Sequence, residues 1–328
     1  MVALLERLMA QSTAKDTIER AIASGRVHHA LLFDGPDGVG KELAAFGLAQ
    51  ALVCERRRPT EARACGECAA CSKAEPRAET GRPTHPDVIV IERGAYDPAM
   101  IGRRTQETQD ISIDQIRTLV LARAAFAPHE GRARVYVVRR ADELSTPAAN
   151  ALLKTLEEPT RNSYFILVTS RPGSLLSTVR SRTQRVRFGY LPDDVVATIG
   201  ERSGMEKEHA RSLAVLAGGS ASALLALNDP AAAQARDAFV ERAMGAVDAP
   251  HIGPGMDLAA EAKQTKDGLE ERLLALAAHL ASKGRSAGPD ALRTAKQYRC
   301  VVRALSDLDR NASTQLAIES MVLRMRSA

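Results

Sequence analysis

The chain has few aromatic residues and no long apolar run. Aromatic side chains make up 3% of its 328 residues, and they form no cluster of the kind that stacks on unpaired bases. No stretch approaches the roughly 18 uninterrupted apolar residues of a membrane span, and residues 1–11 are amphipathic and charged, unlike a secretory signal. These absences count against direct base stacking and against a membrane-spanning chain, and we expect a cytoplasmic protein.

The composition is rich in Ala and Leu, with 45% hydrophobic residues. This balance favours a mostly helical protein with an α/β part, and the length suffices for two or three domains. The net charge is +5 and the sequence pI is about 9.0. Such a mild basic excess is compatible with work near nucleic acid but does not specify it.

A buried strand is predicted to run into a phosphate-binding loop at residues 31–42. Gly35 and Gly40 bracket four residues and Lys41 follows, which matches G-x-x-x-x-G-K. The glycines let backbone N–H groups turn toward phosphate oxygens, and the lysine reaches the outer phosphates. A chance Gly-rich turn is the alternative, but the flanking apolar strand and helical pattern are the context that the motif requires.

Two features of a hydrolysing site are missing. Glu42 stands where a Ser or Thr hydroxyl would hold Mg²⁺, and Arg139 and Arg140 follow the strand 135–138 where acids would stand. Asp142-Glu143 comes three residues late, so the alternative is a displaced acid pair that still works. Because two separate metal positions are changed, we predict that ATP or ADP can bind at Gly35, Gly40 and Lys41 but that hydrolysis is lost.

Four of the five cysteines lie within residues 54–71. Cys65, Cys68 and Cys71 form two successive C-x-x-C steps, and Cys54 supplies a fourth thiolate. This spacing predicts a tetrahedral Cys₄ zinc site with no open position, hence a structural metal. Free or redox-active thiols are the alternative, since structural disulfides are unusual in a cytosolic chain.

Further elements follow from local patterns. Residues 85–92 are predicted to be another buried strand because they are nearly all apolar. We expect a loop over 95–109 and a helix over 113–127, capped by Ser112 or Asp110. Leu269, Leu273, Leu276, Ala277 and Leu280 form an apolar stripe on a later helix, and a Pro/Gly-rich loop is expected at 248–255.

Several segments resemble the bacterial clamp-loader subunits of DNA polymerase III, an AAA+ family. The resemblance extends over nearly the whole chain and includes the cysteine insert between the phosphate loop and the second strand. The segments that carry it are ADELSTPAANALLKTLEEP at 141–159, FILVT at 165–169, LLSTVRSRT at 175–183 and NASTQLAIE at 311–319.

The resemblance implies a three-part architecture. Residues 1–188 would form an α/β AAA+ P-loop domain with a parallel sheet and the zinc insert at about 54–71. Residues 189–228 would form a small helical lid, and residues 229–328 an all-α collar domain for oligomerisation. Pro192 and the Ala217-Gly-Gly-Ser220 break mark the edges of the lid.

Within the family, the motor subunits gamma and tau keep the hydroxyl residue and the acid pair that this chain lacks. The resemblance therefore implies a non-motor subunit with no ATPase or polymerase activity of its own. Its partners would be gamma or tau and delta subunits, and through them the sliding clamp and primed DNA. Ser181 and Arg182 would face a neighbour, with Arg182 acting in trans as an arginine finger. Thr183 replaces the usual Cys.

Three alternatives remain open at this point. The chain could be an active gamma/tau-type ATPase, which would hydrolyse ATP with Mg²⁺ in isolation. It could be a DNA-binding module, which would bind primed DNA tightly and with strong salt dependence. Arg182 could also be an ordinary surface arginine, since Arg180 and Arg185 are close in sequence.

Overall fold

The computed structural model divides into two compact units, Met1–Leu224 and Leu225–Ala328, which we describe separately. The residues it describes are 3–94, 98–101, 110–124, 126–130, 132–265, 268–286, 290–309 and 312–328.

The first unit is built on a five-stranded parallel sheet with strand order β2-β3-β4-β1-β5. The three inner strands are apolar and almost fully buried, as expected for a parallel sheet covered on both faces. The strands are β1 Ala30–Asp34, β2 Val88–Ile91, β3 Arg134–Val138, β4 Ser163–Thr169 and β5 Gln184–Arg187.

Helices connect and cover these strands. Four short 3-10 turns are also present in the described part of this unit, at Leu4–Arg7, Pro98–Ile101, Ala141–Glu143 and Pro172–Ser174. The α-helices are α1 Ser12–Ala23, α2 Lys41–Val53, α3 Ala69–Ala74, α4 Ile113–Ile116, α5 Ala122–Ala124, α6 Thr146–Glu157, α7 Ser177–Arg180, α8 Asp193–Arg202, α9 Lys207–Leu216 and α10 Ala221–Asn228.

The second unit is helical in the part that the structure describes. The predicted stripe from Leu269 to Leu280 is buried and packs with Phe239, Val301 and Met321 in one core. Its helices are α11 Pro230–Asp248, α12 Gly253–Gln264, α13 Leu269–Ser286, α14 Ala291–Asp309 and α15 Thr314–Arg326.

The predicted fold class is confirmed: a parallel α/β P-loop unit of AAA+ type is followed by helices. Pro192 is the N-cap of α8, and residues 217–220 separate α9 from α10. The boundary between the two compact units falls between Leu224 and Leu225 in the sequence, within α10. The finer division at 188/189 and 228/229 stays a prediction.

The strand predicted over 85–92 is shorter than expected. Pro86 has no N–H, and the Val88 N–H bonds back to the His85 carbonyl in a turn. The buried Asp87 carboxylate instead accepts the N–H groups of His129 and Glu130, both at 2.7 Å. The strand therefore begins only at Val88.

The helix predicted over 113–127 is real but interrupted. Ser112 caps it in a capping box with Gln115, whereas Asp110 does not. A π-helical turn occupies Arg117–Leu121, and Ala122–Ala124 is the last helical stretch before a residue that the structure does not describe. Pro98–Ile101 forms a 3-10 turn, and the rest of the loop predicted for 95–109 lies outside the described residues.

The loop predicted for 248–255 is also shorter, because α11 extends to Asp248 and α12 begins at Gly253. Pro254 lies in the first turn of α12, where its missing N–H costs no hydrogen bond. Within the described ranges no single helix is long and apolar enough to span a membrane. The bent pair of α9 and α10 passes such a test only on length and composition.

Candidate functional site

The phosphate loop joins β1 to α2 in the geometry that its glycines allow. A Cβ on Gly35 would lie 2.3 Å from the Phe188 carbonyl oxygen, so no larger residue fits there. Gly40 is the N-cap of α2 with φ +99°, a left-handed conformation that glycine adopts without strain. The loop therefore presents its backbone at the N-terminus of a helix, where an anion is favoured.

Lys41 is folded back onto the loop. Its Nζ donates to the carbonyl oxygens of Gly35 at 2.7 Å and Pro36 at 2.5 Å, and lies 3.4 Å from Asp37 Oδ1. Burial lowers the pKa of Lys41, and the nearby Asp37 partly opposes this. The ammonium is thus satisfied internally, and a bound phosphate would have to exchange with these carbonyls.

Two clefts flank the loop. One, of about 460 Å³, has a polar and charged lining that includes Lys41, Glu42, Arg140 and Thr169. The other, of about 300 Å³, is mainly apolar, and its lining includes Leu8, Met9, Val39, Leu191 and Ile199. The polar cleft has the chemistry to hold a phosphate group, and the apolar cleft on the other side of the loop has the chemistry to hold a flat apolar group.

Glu42 and Arg139 occupy the expected metal position as an ion pair. Arg139 Nε lies 3.1 Å from Glu42 Oε2, in an alignment that falls short of a hydrogen bond. Arg139 also donates to Glu92 Oε2 at 3.0 Å and to the Gly81 carbonyl at 2.7 Å. Its guanidinium lies 5.3 Å from the centre of the Phe46 ring. Glu42 is therefore paired with an arginine at the end of β3, where the sequence motif calls for an acid.

The displaced acid pair is engaged elsewhere. Asp142 accepts the Thr169 hydroxyl at 2.6 Å and Arg171 Nε at 3.1 Å, and its side chain is buried. Glu143 pairs with Arg140 Nε at 2.9 Å. Both carboxylates are therefore neutralised by arginines of this chain, which disfavours a role as metal ligands.

Ser181 and Arg182 directly follow α7. The Ser181 hydroxyl donates to the Thr178 carbonyl at 3.1 Å. Arg182 Nη1 donates to the same carbonyl at 2.9 Å, and its Nε donates to Glu157 Oε1 at 2.6 Å. The Arg182 side chain is 34% exposed, so it lies at the surface of the first unit.

Arg182 and the phosphate loop lie toward opposite ends of the sheet. The loop follows Asp34, whose register partner on β5 is Arg187, whereas Arg182 precedes Gln184 at the start of β5. The three strand steps from Arg187 back to Gln184 alone separate the two levels by roughly 10 Å along the sheet. Arg182 is thus poorly placed to serve the cleft of its own chain.

The four predicted metal ligands converge. Their Sγ atoms all lie within 4.8 Å of one another. Cys54 is 3.6 Å from Cys65 and 3.9 Å from Cys68, and Cys65 is 3.8 Å from Cys71. Zinc–sulfur bonds of about 2.3 Å would put tetrahedral sulfurs about 3.8 Å apart. The cluster therefore fits a metal of zinc size, and zinc itself stays a prediction.

Electrostatics also favour a cation at the cluster. Burial raises the pKa of Cys54 and of Cys71, so these thiols need a nearby positive charge to ionise. Burial also tends to raise the pKa of Cys65, but the backbone N–H groups of Glu67 and Cys68 point at its sulfur and bring the pKa down to about 7. A bound dication would supply the missing compensation, and its role would be to hold the insert together.

Helix α2 connects the two sites, since it begins at Lys41 and its C-cap is Cys54. Gln50 on this helix accepts the Leu4 N–H at 3.0 Å and donates to the Cys71 carbonyl at 3.1 Å. The insert is therefore anchored directly to the helix that starts at the phosphate loop.

Sequence patterns missed three ion pairs of the site. They join residues far apart in the chain: Glu42 with Arg139, Glu157 with Arg182, and Asp34 with Arg185, whose Nε lies 2.6 Å from Asp34 Oδ1. One signal was available, because Glu42 and Arg139 are opposite charges at two positions that the expected fold brings together.

Comparison with known proteins points to one family. A family model described as "DNA polymerase III, delta subunit" matches residues 10–192. DNA polymerase III subunit gamma/tau of Mycobacterium bovis is 35% identical over 233 residues, 69% of this chain and 37% of that protein. DNA polymerase III subunit delta' of Escherichia coli is 32% identical over 227 residues, 68% of this chain and 62% of that protein.

Among solved structures, a gamma-subunit-related protein of DNA polymerase III from Thermotoga maritima superposes with a TM-score of 0.49. The identity is 17%, over 95% of this chain and 98% of that one. The chain spans less than two fifths of the gamma/tau relative, at 37%. Because the family model matches more than half of its length, the chain belongs to the DNA polymerase III delta-prime subunit family.

Proposed function

We propose that this chain is a non-motor clamp-loader subunit. It would assemble with gamma or tau and delta subunits of DNA polymerase III and help to load a sliding clamp on primed DNA. It would not hydrolyse ATP itself, and Arg182 would act as an arginine finger on the ATP of a neighbouring gamma or tau subunit, with Ser181 holding the turn. A structural zinc would be bound by Cys54, Cys65, Cys68 and Cys71.

The ion pair between Glu42 and Arg139 carries the non-motor part of the proposal. A magnesium ion between phosphates and protein needs oxygen ligands, and a guanidinium at that place repels it. Arg139 is held there by Glu92 and Gly81 as well as by Glu42. Loss of the metal removes the charge neutralisation on which phosphoryl transfer depends.

The trans role is supported by where Arg182 lies. It is exposed at the edge of the sheet, toward the end opposite the chain's own phosphate loop. A guanidinium at a subunit edge can present its planar set of donors to a phosphate on a neighbour. Arg185 is paired with Asp34, which is only 7% exposed, whereas Glu157, the partner of Arg182, is 47% exposed, so Arg185 is the poorer candidate.

We expect no Mg²⁺-dependent ATP hydrolysis above background from the isolated chain. Glu42→Ser should not rescue it, because Arg139 and Arg140 still occupy the acid positions and Asp142 stays paired with Arg171. The measurement is steady-state phosphate release, with Lys41→Ala as the control for contaminating ATPases. Steady turnover by the unmodified chain that Lys41→Ala abolishes would contradict the proposal.

A gamma/tau-type motor remains the second candidate, since this chain is 35% identical to a gamma/tau protein. The same ATPase measurement separates the two, because only a motor turns over ATP. A second test is assembly. The purified chain, mixed with motor and delta subunits, should elute as one complex of fixed stoichiometry. Separate elution at micromolar concentrations would contradict the clamp-loader role.

A further inference from the structure

Each nitrogen of the Arg182 guanidinium contacts a partner within its own chain. Its Nε donates to Glu157 Oε1 at 2.6 Å, and its Nη2 contacts the same oxygen. Nη1 donates to the Thr178 carbonyl at 2.9 Å and lies 3.4 Å from the Ser181 hydroxyl. All three nitrogens thus have partners, and a phosphate on a neighbouring subunit would compete with these partners for the guanidinium.

Glu157 is an unusual partner because of where it lies. It is the last residue of α6, and Glu158 follows it as the C-cap. Carboxylates are disfavoured at the C-terminal end of a helix, where the backbone carbonyls already make the potential negative. The positive charge of Arg182 offsets the Glu157 charge, so the negative potential at the end of α6 stabilises the guanidinium beside Glu157, which we call the docked position.

The pair is nevertheless exchangeable. Glu157 is 47% exposed and Arg182 is 34% exposed, and surface ion pairs of this kind are weak. A triphosphate on a neighbour carries more charge and more acceptor oxygens than one carboxylate. It can therefore displace Glu157, but the exchange delays the arginine's arrival at the transferred phosphoryl group.

We propose that Glu157 is the positioning residue for Arg182: it holds the finger docked on its own subunit and competes with the neighbour's phosphate for it. This inference rests on the proposed function, because it needs Arg182 to act in trans. Glu157 does not touch the nucleotide. It controls the fraction of time in which the guanidinium is free to move.

The test uses reconstituted complexes of motor and delta subunits with this chain, and the readout is the first ATP turnover by rapid quench with clamp and primed DNA. The Arg182-dependent part of the rate is the difference between complexes with the unmodified chain and with Arg182→Ala. We expect Glu157→Gln to raise this part about two- to fivefold, as for loss of a weak surface pair. The KM for ATP should change less than twofold.

Glu158→Gln is the matched control. It removes the same charge one residue away, and Glu158 is an exposed residue that does not contact Arg182 in the described structure. It should leave the rate unchanged. In an Arg182→Ala background Glu157→Gln should also have no effect, since a double-mutant cycle isolates the coupling between the two side chains.

The possible outcomes distinguish the trans role of Arg182 from the competition by Glu157. If no Arg182-dependent part exists, the trans role fails and the inference fails with it. If that part exists but Glu157→Gln leaves it unchanged or lowers it, only the competition by Glu157 is overturned. An equal gain from Glu158→Gln would assign the effect to general charge, and would overturn it too.

Discussion

Replacing Arg182 with alanine should slow ATP hydrolysis at one site of the assembled clamp loader by roughly 10³-fold or more, as for other arginine fingers. The partner should still bind ATP nearly normally, because the contact matters most when charge develops on the transferred phosphoryl group. Whole-complex ATPase should fall only in part, since the other sites do not face this subunit. The measurement is clamp- and DNA-stimulated phosphate release at saturating ATP.

The controls exploit the surroundings of Arg182. Its side chain is 34% exposed and its ion pair with Glu157 lies at the surface, so alanine should lower the free energy of unfolding by no more than about 1 kcal/mol and leave complex assembly intact. Arg182→Lys should rescue poorly, because an ammonium cannot reproduce the planar set of donors. Arg180→Ala removes a nearby exposed arginine that donates to the Pro172 carbonyl, and it should have little effect. Equal rates for Arg182→Ala and the unmodified chain, with assembly confirmed, would make Arg182 an ordinary surface residue.

The second large effect concerns zinc. We expect one zinc per chain by elemental analysis of anaerobically purified protein, and almost none in Cys68→Ala. Zinc-finger peptides bind zinc with apparent free energies of about 10–16 kcal/mol, so losing one of four ligands should remove most of the affinity. Hydrogen exchange should then show residues 54–71 opening, while helices α11 to α15 keep their protection.

Cys300→Ala is the control for this experiment. Cys300 is the one cysteine outside the cluster and packs against the core of the second unit. This variant should retain a full equivalent of zinc. Metal-free unmodified protein, or a full equivalent in Cys68→Ala, would contradict the assignment of the four cysteines as ligands.

Local patterns predicted the elements that depend on local chemistry. The phosphate loop requires glycines at Gly35 and Gly40, and both are found where larger residues would clash or be strained. The cysteine spacing brings the four sulfurs together because each C-x-x-C step closes a tight turn around its own sulfur. The phosphate loop and the cysteine cluster each depend on residues close together in the chain, so they could be predicted from one sequence.

Features that depend on distant partners were harder to predict. The strand at 85–92 looked longer because its apolar run does not reveal that Asp87 accepts N–H groups from His129 and Glu130. Similarly, the sequence presents Glu42 and Arg139 as two independent changes to the motif, yet their side chains form an ion pair. Such pairings arise from tertiary structure, and the opposite charges of Glu42 and Arg139 are the one sequence signal that points to theirs.

The contact between Glu42 and Arg139 bears on how such a site can change over time. Replacing Glu42 alone strips Arg139 of one of its counter-ions, and Arg139 is only 15% exposed. Replacing Arg139 alone by an acid would set a new carboxylate beside Glu42 and Glu92. Each single step is therefore less favourable than either end state. Under the proposed non-motor function, restoring metal ligands at this site would therefore require that both residues change together.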